Sequence, residues 1–236
     1  MRVRRWRASP RVRGGVQRSQ PEPGVAAVQA CELAKVAGGI EDYYAGEGEA
    51  AGEWHGQGAS ALGLEGTVEG PDLTAVLRSE YGELQTMSGR TGPGHSPYSG
   101  GTTGVRRRPG WDFCFRAPKS VSVLYAFGGK RVAREVIAAH DAAVKAVIDF
   151  AERRMTFTRR CVDGKRETVR GEGLVCALFR HRASRAGDPQ LHTHVLVANA
   201  TRDDRGKWLR LNAPRLLGPA KTLGYLYWRH LRRCSR

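Results

Sequence analysis

No run of about 18 consecutive apolar residues, the length a membrane-spanning helix needs, occurs anywhere in this 236-residue chain. The N-terminal arginines are not followed by an apolar stretch, which speaks against a secretory leader. The five cysteines, Cys31, Cys114, Cys161, Cys176 and Cys234, are scattered, odd in number and without a CxxC pair. That excludes the usual signature of a disulfide framework or a cysteine zinc site and fits a reducing, cytoplasmic setting. No internal repeat is present. Acidic residues are missing from both ends: residues 1–20 hold seven arginines and no acid, and residues 229–236 hold four more. Without those eleven, 28 basic residues face 23 acidic ones, so most of the formal charge of +16 resides in the termini. The remaining excess favours a polyanionic partner only weakly.

The apolar fraction of 40% with 26% charged residues is that of an ordinary globular protein. Residues 1–27 mix Arg, Pro, Gly and Val without period and read as a disordered basic segment. VQACELAKVAG, residues 28–38, has apolar positions at helical spacing and predicts a helix stopping before Gly38-Gly39. Short helices are expected near Ala59–Leu62 and Asp72–Glu80, the second with Asp72 as its cap. Residues 88–110 form a Gly/Pro/Ser/Thr-rich loop containing Arg106, Arg107 and Arg108.

From Trp111 onward WDFCF and VSVLYAF read as strand-like runs flanking a turn at Pro118. Residues 130–154 carry the strongest helical stripe, from Val132 to Phe150. VCALFRHRAS and LHTHVLVANAT read as two strands joined by RAGDPQ, with DDRG as the next turn before KWLRL. PRLLGPAKTLGYLYWRHL is helical in pattern and broken near Gly218-Pro219. Strands interleaved with one long helix predict an α+β domain on an antiparallel sheet. Its expected extent is 28–228, followed by a basic tail, 229–236.

The sharpest chemical signal is FRHRASRAGDPQLHTHVLV. His192 and His194 are two apart on an expected strand and share one face, and the hairpin brings His181 opposite or diagonal to them. Three neutral histidines without a fourth protein ligand leave a bound ion open to substrate. The alternative is a satisfied histidine pair on a half-exposed strand. A metal so held would polarise a phosphate oxygen, and the reaction would then need a nucleophile. Tyr43-Tyr44 is the candidate, and packing or partner binding is the alternative for it. Asp112, inside an apolar run, is either a carboxylate placed for proton transfer or one turned outward on an alternating strand.

Four stretches, DYYAGEGEAAGEWHGQGASALGLEGTV, GWDFCFRAPKSVSVLYAF, AAHDAAVKAVIDFAERRMTFTRR and FRHRASRAGDPQLHTHVLVANAT, occur in the order found in the MobF (TrwC/TraI-type) class of conjugative relaxases. The resemblance runs from about residue 33 to 227. It implies the HUH-endonuclease fold, a palm-like antiparallel sheet flanked by helices. It also implies metal-dependent nicking and transfer of single-stranded DNA at a plasmid or integrative-element origin of transfer, through a phosphotyrosine. By that resemblance His181, His192 and His194 hold a divalent metal, Mg²⁺ or Mn²⁺ with Zn²⁺ or Ni²⁺ as alternatives, and Asp112 is the general base. Arg106, Arg107, Arg108 and Lys119 line the DNA path, and other conjugation proteins are further partners.

Two departures bear on activity. The family carries a first tyrosine pair shortly before DYY, and here no tyrosine precedes Tyr43. Tyr43 and Tyr44 match the second pair. Similarity fades after GYLY, and the arginine-rich ends are what a mis-started or out-of-frame reading of a GC-rich gene would give. The expectation is a truncated or frame-damaged domain, with a catalytically impaired DNA-binding module as the alternative to a working nickase.

Overall fold

The computed structural model describes residues 28–32, 50–87, 108–184 and 186–234. Five strands form the central sheet: β1 (Val28–Glu32), β2 (Glu53–His55), β3 (Gly110–Arg116), β6 (Cys176–Ala183) and β7 (Pro189–Ala198). Their order is β1-β3-β7-β6-β2, and every neighbouring pair is antiparallel. Two hairpins stand apart from it, β4 (Phe157–Val162) with β5 (Lys165–Arg170), and β8 (Thr201–Arg202) with β9 (Trp208–Leu209). The helices are α1 (Gln57–Ala61), α2 (Gly70–Arg78), α3 (Lys119–Phe127), α4 (Gly129–Met155), α5 (Ala213–Leu217) and α6 (Ala220–Cys234). Among the described residues no helix is long and apolar enough to cross a membrane. The α+β architecture on an antiparallel sheet agrees with the expectation.

Alternation along the strands creates two cores. Trp111, Phe113 and Phe115 of β3 and Val195 and Val197 of β7 pack against Val144, Val147 and Ile148 of α4 and against Leu223 and Tyr227 of α6. On the other face Leu196, Ala198, Ala177 and Phe179 pack with Trp54 and with Leu73, Val76 and Leu77 of α2. Each fully buried Leu, Val or Phe contributes about 1.5–3 kcal/mol of transfer free energy, so two filled faces hold the sheet rigid. The second core covers only part of its face. Where β3, β6 and β7 run on beyond it, the outward residues are polar.

Several expectations are corrected. Residues 28–32 form an edge strand, not a helix: Val28 pairs with Phe115 and Glu32 with Trp111, and sheet pairing overrides the helical spacing of a short segment. VSVLYAF lies in helix α3, not a strand. Its inward residues are Val121, Ser122 and Tyr125, while Val123, Leu124 and Phe127 are exposed, a period near 3.6 rather than 2. Helix α2 begins earlier than expected, with Glu69 at its N-cap and Pro71 in its first turn, so Asp72 does not cap it. Asp72 instead places a carboxylate in the first turn, where the helix dipole favours it. The basic stretch expected as a tail from residue 229 runs on within α6 to Cys234, with Leu231 buried. Residues 1–27 lie outside the described residues.

Candidate metal centre

The register of three strands assembles the site. Arg116 of β3 is paired with His192 of β7, and Cys114 with His194. On the other side of β7, His181 of β6 is paired with His192 and Phe179 with His194. Side chains directly opposite each other share a face, so Asp112, Cys114, Arg116, His181, His192 and His194 all emerge on the partly covered side of the sheet. The pairing slips between His181 and Ala183, a bulge at the sheet's end beside the histidines.

The three imidazoles form a near-equilateral triangle, with ring centres 5.2 Å apart for every pair. A metal–nitrogen bond of about 2.1 Å, extended by about 1.1 Å to the ring centre, puts rings at tetrahedral angles about 5.2 Å apart. The tautomers follow from the partners. His194 Nδ1 lies 2.8 Å from Asp112 Oδ2, and a carboxylate only accepts, so Nδ1 carries the hydrogen. His192 Nδ1 likewise donates to the Gln190 carbonyl at 2.8 Å. With Nδ1 donating, the metal-binding nitrogen of each ring is Nε2, the orientation that carboxylate and carbonyl partners impose on metal-binding histidines. Burial pushes the His192 pKa down to about 4, and the neighbouring His194, His181 and Arg116 push the same way against the Gln190 hydrogen bond. His192 is therefore a neutral ligand near pH 7. The donor set fits a divalent cation.

Among the described residues, the group whose ligand atoms all lie within 4.8 Å of one another is Cys114, His192 and His194. His181 completes the triangle of ring centres but not that tighter group. Ring position is the better guide for an imidazole, because a χ rotation moves its nitrogens without moving the backbone.

The cationic neighbours are Arg116, whose Nε donates to Cys114 Sγ at 3.4 Å, and Lys119 at the start of α3, whose Nζ donates to the Pro189 carbonyl at 3.0 Å. Arg108 is exposed at the foot of β3, and its carbonyl accepts from Asn199 Nδ2. Tyr43, Tyr44, Arg106 and Arg107 lie outside the described residues.

Behind the site, on the helix side of β7, Thr193 Oγ1 bonds His140 Nε2 at 2.8 Å, and His140 Nδ1 bonds the Tyr227 hydroxyl at 2.7 Å. All three side chains are buried. Burial holds the His140 pKa down at about 3, with the Arg180 guanidinium and His192 adding to it, and burial raises that of Tyr227. This network ties the strand carrying two histidines to α4 and α6. Beside it Arg180 of β6 pairs with Asp141 of α4.

The sequence reading brought together His181, His192, His194 and Asp112 and missed Cys114, Arg116 and the His140 network. Applied to GWDFCFR, strand alternation puts Asp112, Cys114 and Arg116 on one face, and that signal would have found the first two of the missed features.

The TrwC relaxase family model matches residues 22–235. The multifunctional conjugation protein TraI of Escherichia coli is 38% identical over 193 residues, 78% of this chain and 10% of TraI. TraI of Escherichia coli strain K12 is 38% identical over 179 residues, 75% of this chain and 9% of that protein. The chain thus spans about a tenth of the length of these relatives. Among solved structures, the metal-free complex of the conjugative relaxase TrwC with OriT DNA has a TM-score of 0.72 at 31% identity, covering 88% of this chain and 68% of that one. The metal-bound complex of TrwC with OriT DNA has a TM-score of 0.73 at 30% identity, covering 88% and 69%.

Proposed function

The chain belongs to the TrwC relaxase family, and on that footing we propose that it binds single-stranded DNA at an origin of transfer and carries the metal-dependent site for strand nicking. The observation that carries this reading is the triangle of His181, His192 and His194 beside Asp112. A divalent ion held there, Mg²⁺ or Mn²⁺, would supply Lewis-acid polarisation of a phosphate oxygen.

The chain's own residues do the rest. The hydroxyl of Tyr43 or Tyr44 attacks phosphorus, the Tyr Oη–P bond forms, and the bond from phosphorus to the 3′ oxygen breaks, that oxygen taking a proton from water to leave as a hydroxyl. A tyrosine hydroxyl has a pKa of about 10 and needs a base to attack at neutral pH. Asp112 takes that proton, while its bond to His194 holds the ring in its metal-facing tautomer. Arg116 and Lys119 set positive charge beside the scissile phosphate, and Arg106, Arg107 and Arg108 guide the strand toward it. Conjugation proteins that deliver the nicked strand are the further partners.

A second reading is a module that binds origin DNA without cutting it, and the observation favouring it is that the stretch just before Tyr43, residues 29–39, carries no tyrosine. Incubation of the chain with an origin oligonucleotide and Mn²⁺, followed by mass spectrometry for a tyrosyl-DNA peptide, separates the two. An adduct on Tyr43 or Tyr44 supports the nickase. Retained binding with no adduct supports the module.

A further inference from the structure

Cys114 stands where the three-histidine scheme has no place for it. It pairs with His194 across β3 and β7, it is only 4% exposed, and its Sγ belongs to the group in which every ligand atom lies within 4.8 Å of the others. Nothing in the proposed phosphoryl transfer uses a thiol. The position faces the histidines rather than the apolar core, because Phe113 and Phe115 on either side of it point to α4 and α6. A guanidinium nitrogen, Arg116 Nε, is directed at the sulfur from 3.4 Å.

We propose that Cys114 supplies a thiolate ligand to the histidine centre when a thiophilic divalent ion of the zinc and cobalt class is bound. This inference rests on the metal reading of the three histidines. On binding, a sulfur–metal bond of about 2.3 Å forms and the S–H proton leaves to water. Ligand atoms around a tetrahedral ion are about 3.3–3.8 Å apart, so Cys114, His192 and His194 close by about 1 Å and His181, outside that group, by more, through side-chain rotation. Hard ions prefer oxygen and nitrogen and leave the sulfur protonated, whereas zinc-class ions gain most from it.

The two classes of ion therefore produce different sites in one chain. With a hard ion, the three imidazoles leave coordination positions for a phosphate oxygen. With a thiophilic ion, three nitrogens and one sulfur complete a tetrahedron, the closed arrangement of a structural zinc site. The thiophilic ion binds more tightly and excludes the phosphate, so strand transfer falls silent when such ions are in excess.

Cobalt(II) titration of the full chain under reducing conditions tests this by absorption spectroscopy. The expected result is visible d–d bands of a tetrahedral site together with a near-ultraviolet thiolate-to-cobalt charge-transfer band. Cys114→Ser should lose the near-ultraviolet band and keep visible bands from the histidines. Cys161→Ser, which changes a cysteine on the separate β4–β5 hairpin, should keep both. Zinc affinity should fall on the order of tenfold or more in Cys114→Ser, at least the loss seen when a metal's outer partners are altered, with manganese affinity nearly unchanged. Visible bands without a charge-transfer band in the unaltered chain overturn the thiolate ligand and leave the histidine site standing. No cobalt spectrum at all overturns the histidine site itself. A band that survives Cys114→Ser, or Cys114→Ala should the serine variant not fold, also overturns the proposal.

Discussion

Asp112 on β3 and His194 on β7 meet across neighbouring strands, Oδ2 to Nδ1 at 2.8 Å, with both side chains largely withdrawn from solvent. They are offset by two residue pairs along the ladder, since Asp112 faces Leu196 and His194 faces Cys114. The bond is therefore a diagonal reach that fixes the ring's rotation as well as its tautomer, and the proposed mechanism asks two separable things of this carboxylate. Asp112→Asn should lower metal affinity about tenfold through loss of ring orientation. Loss of the base should slow any tyrosine attack by about 100-fold or more. Manganese titration beside adduct formation at saturating metal reads the two effects apart. An equal loss in both that saturating metal restores would assign Asp112 to ring orientation alone.

His192→Ala removes the proposed ligand that Arg116 is paired with. Metal uptake measured by calorimetry should disappear, while DNA binding in EDTA should stay within about twofold, because phosphate contacts supply most of that affinity. Persistent stoichiometric uptake would show that the ion sits elsewhere.

Stability should fall in acid, with a known sign. His140 has a folded pKa of about 3 against an ordinary 6.5, so between those values the unfolded chain holds a proton that the folded chain does not. Stability contributed by this group is complete above about pH 6.5 and is lost by roughly 1.4 kcal/mol per pH unit as the pH falls toward 3. Urea unfolding at several pH values should show a shallower acid slope for His140→Gln than for the unaltered chain. The comparison belongs in EDTA, since His192, lowered to about 4, acts in the same direction when no metal holds it. Identical slopes would mean that His140 is not neutral when folded.

Affinity for single-stranded DNA should drop steeply with salt. Lys119→Gln should reduce the slope of log affinity against log salt by roughly 0.7, the share of one single-strand phosphate contact. A slope unchanged by that substitution would place the DNA path away from the start of α3.

The histidine hairpin was legible because two local rules sufficed, period-two alternation along LHTHV and a turn short enough to fold one strand against the next. The edge strand was not legible, since Val28–Glu32 takes its conformation from Trp111–Phe115, remote in sequence. VSVLYAF misled through composition: β-branched and aromatic residues suggest a strand, yet the run packs on the first core at helical spacing. The β4–β5 hairpin was overlooked although its turn, Asp163-Gly164, is among the strongest short-range hairpin signals, with positive φ at both residues. Strand alternation put Cys114 on the face of Asp112, but only the register of β3 against β7 set it opposite His194.

Strand β7 works in opposite senses on its two sides. Its even residues at 192 and 194 face the polar side of the sheet, and Thr193 between them is bonded into the helices behind. Substitutions in the turn joining β6 to β7 leave that arrangement intact, but the parity of the strand's position does not tolerate change. Sliding β7 by one residue against β3 and β6 would bring a threonine hydroxyl to the place of the imidazoles. It would also drive two rings into the packing of α4 and α6. Insertions and deletions that reach this strand should therefore separate by odd and even length. Odd shifts erase metal binding and destabilise the fold together, whereas shifts by two keep a folded sheet with its ligands displaced by one step.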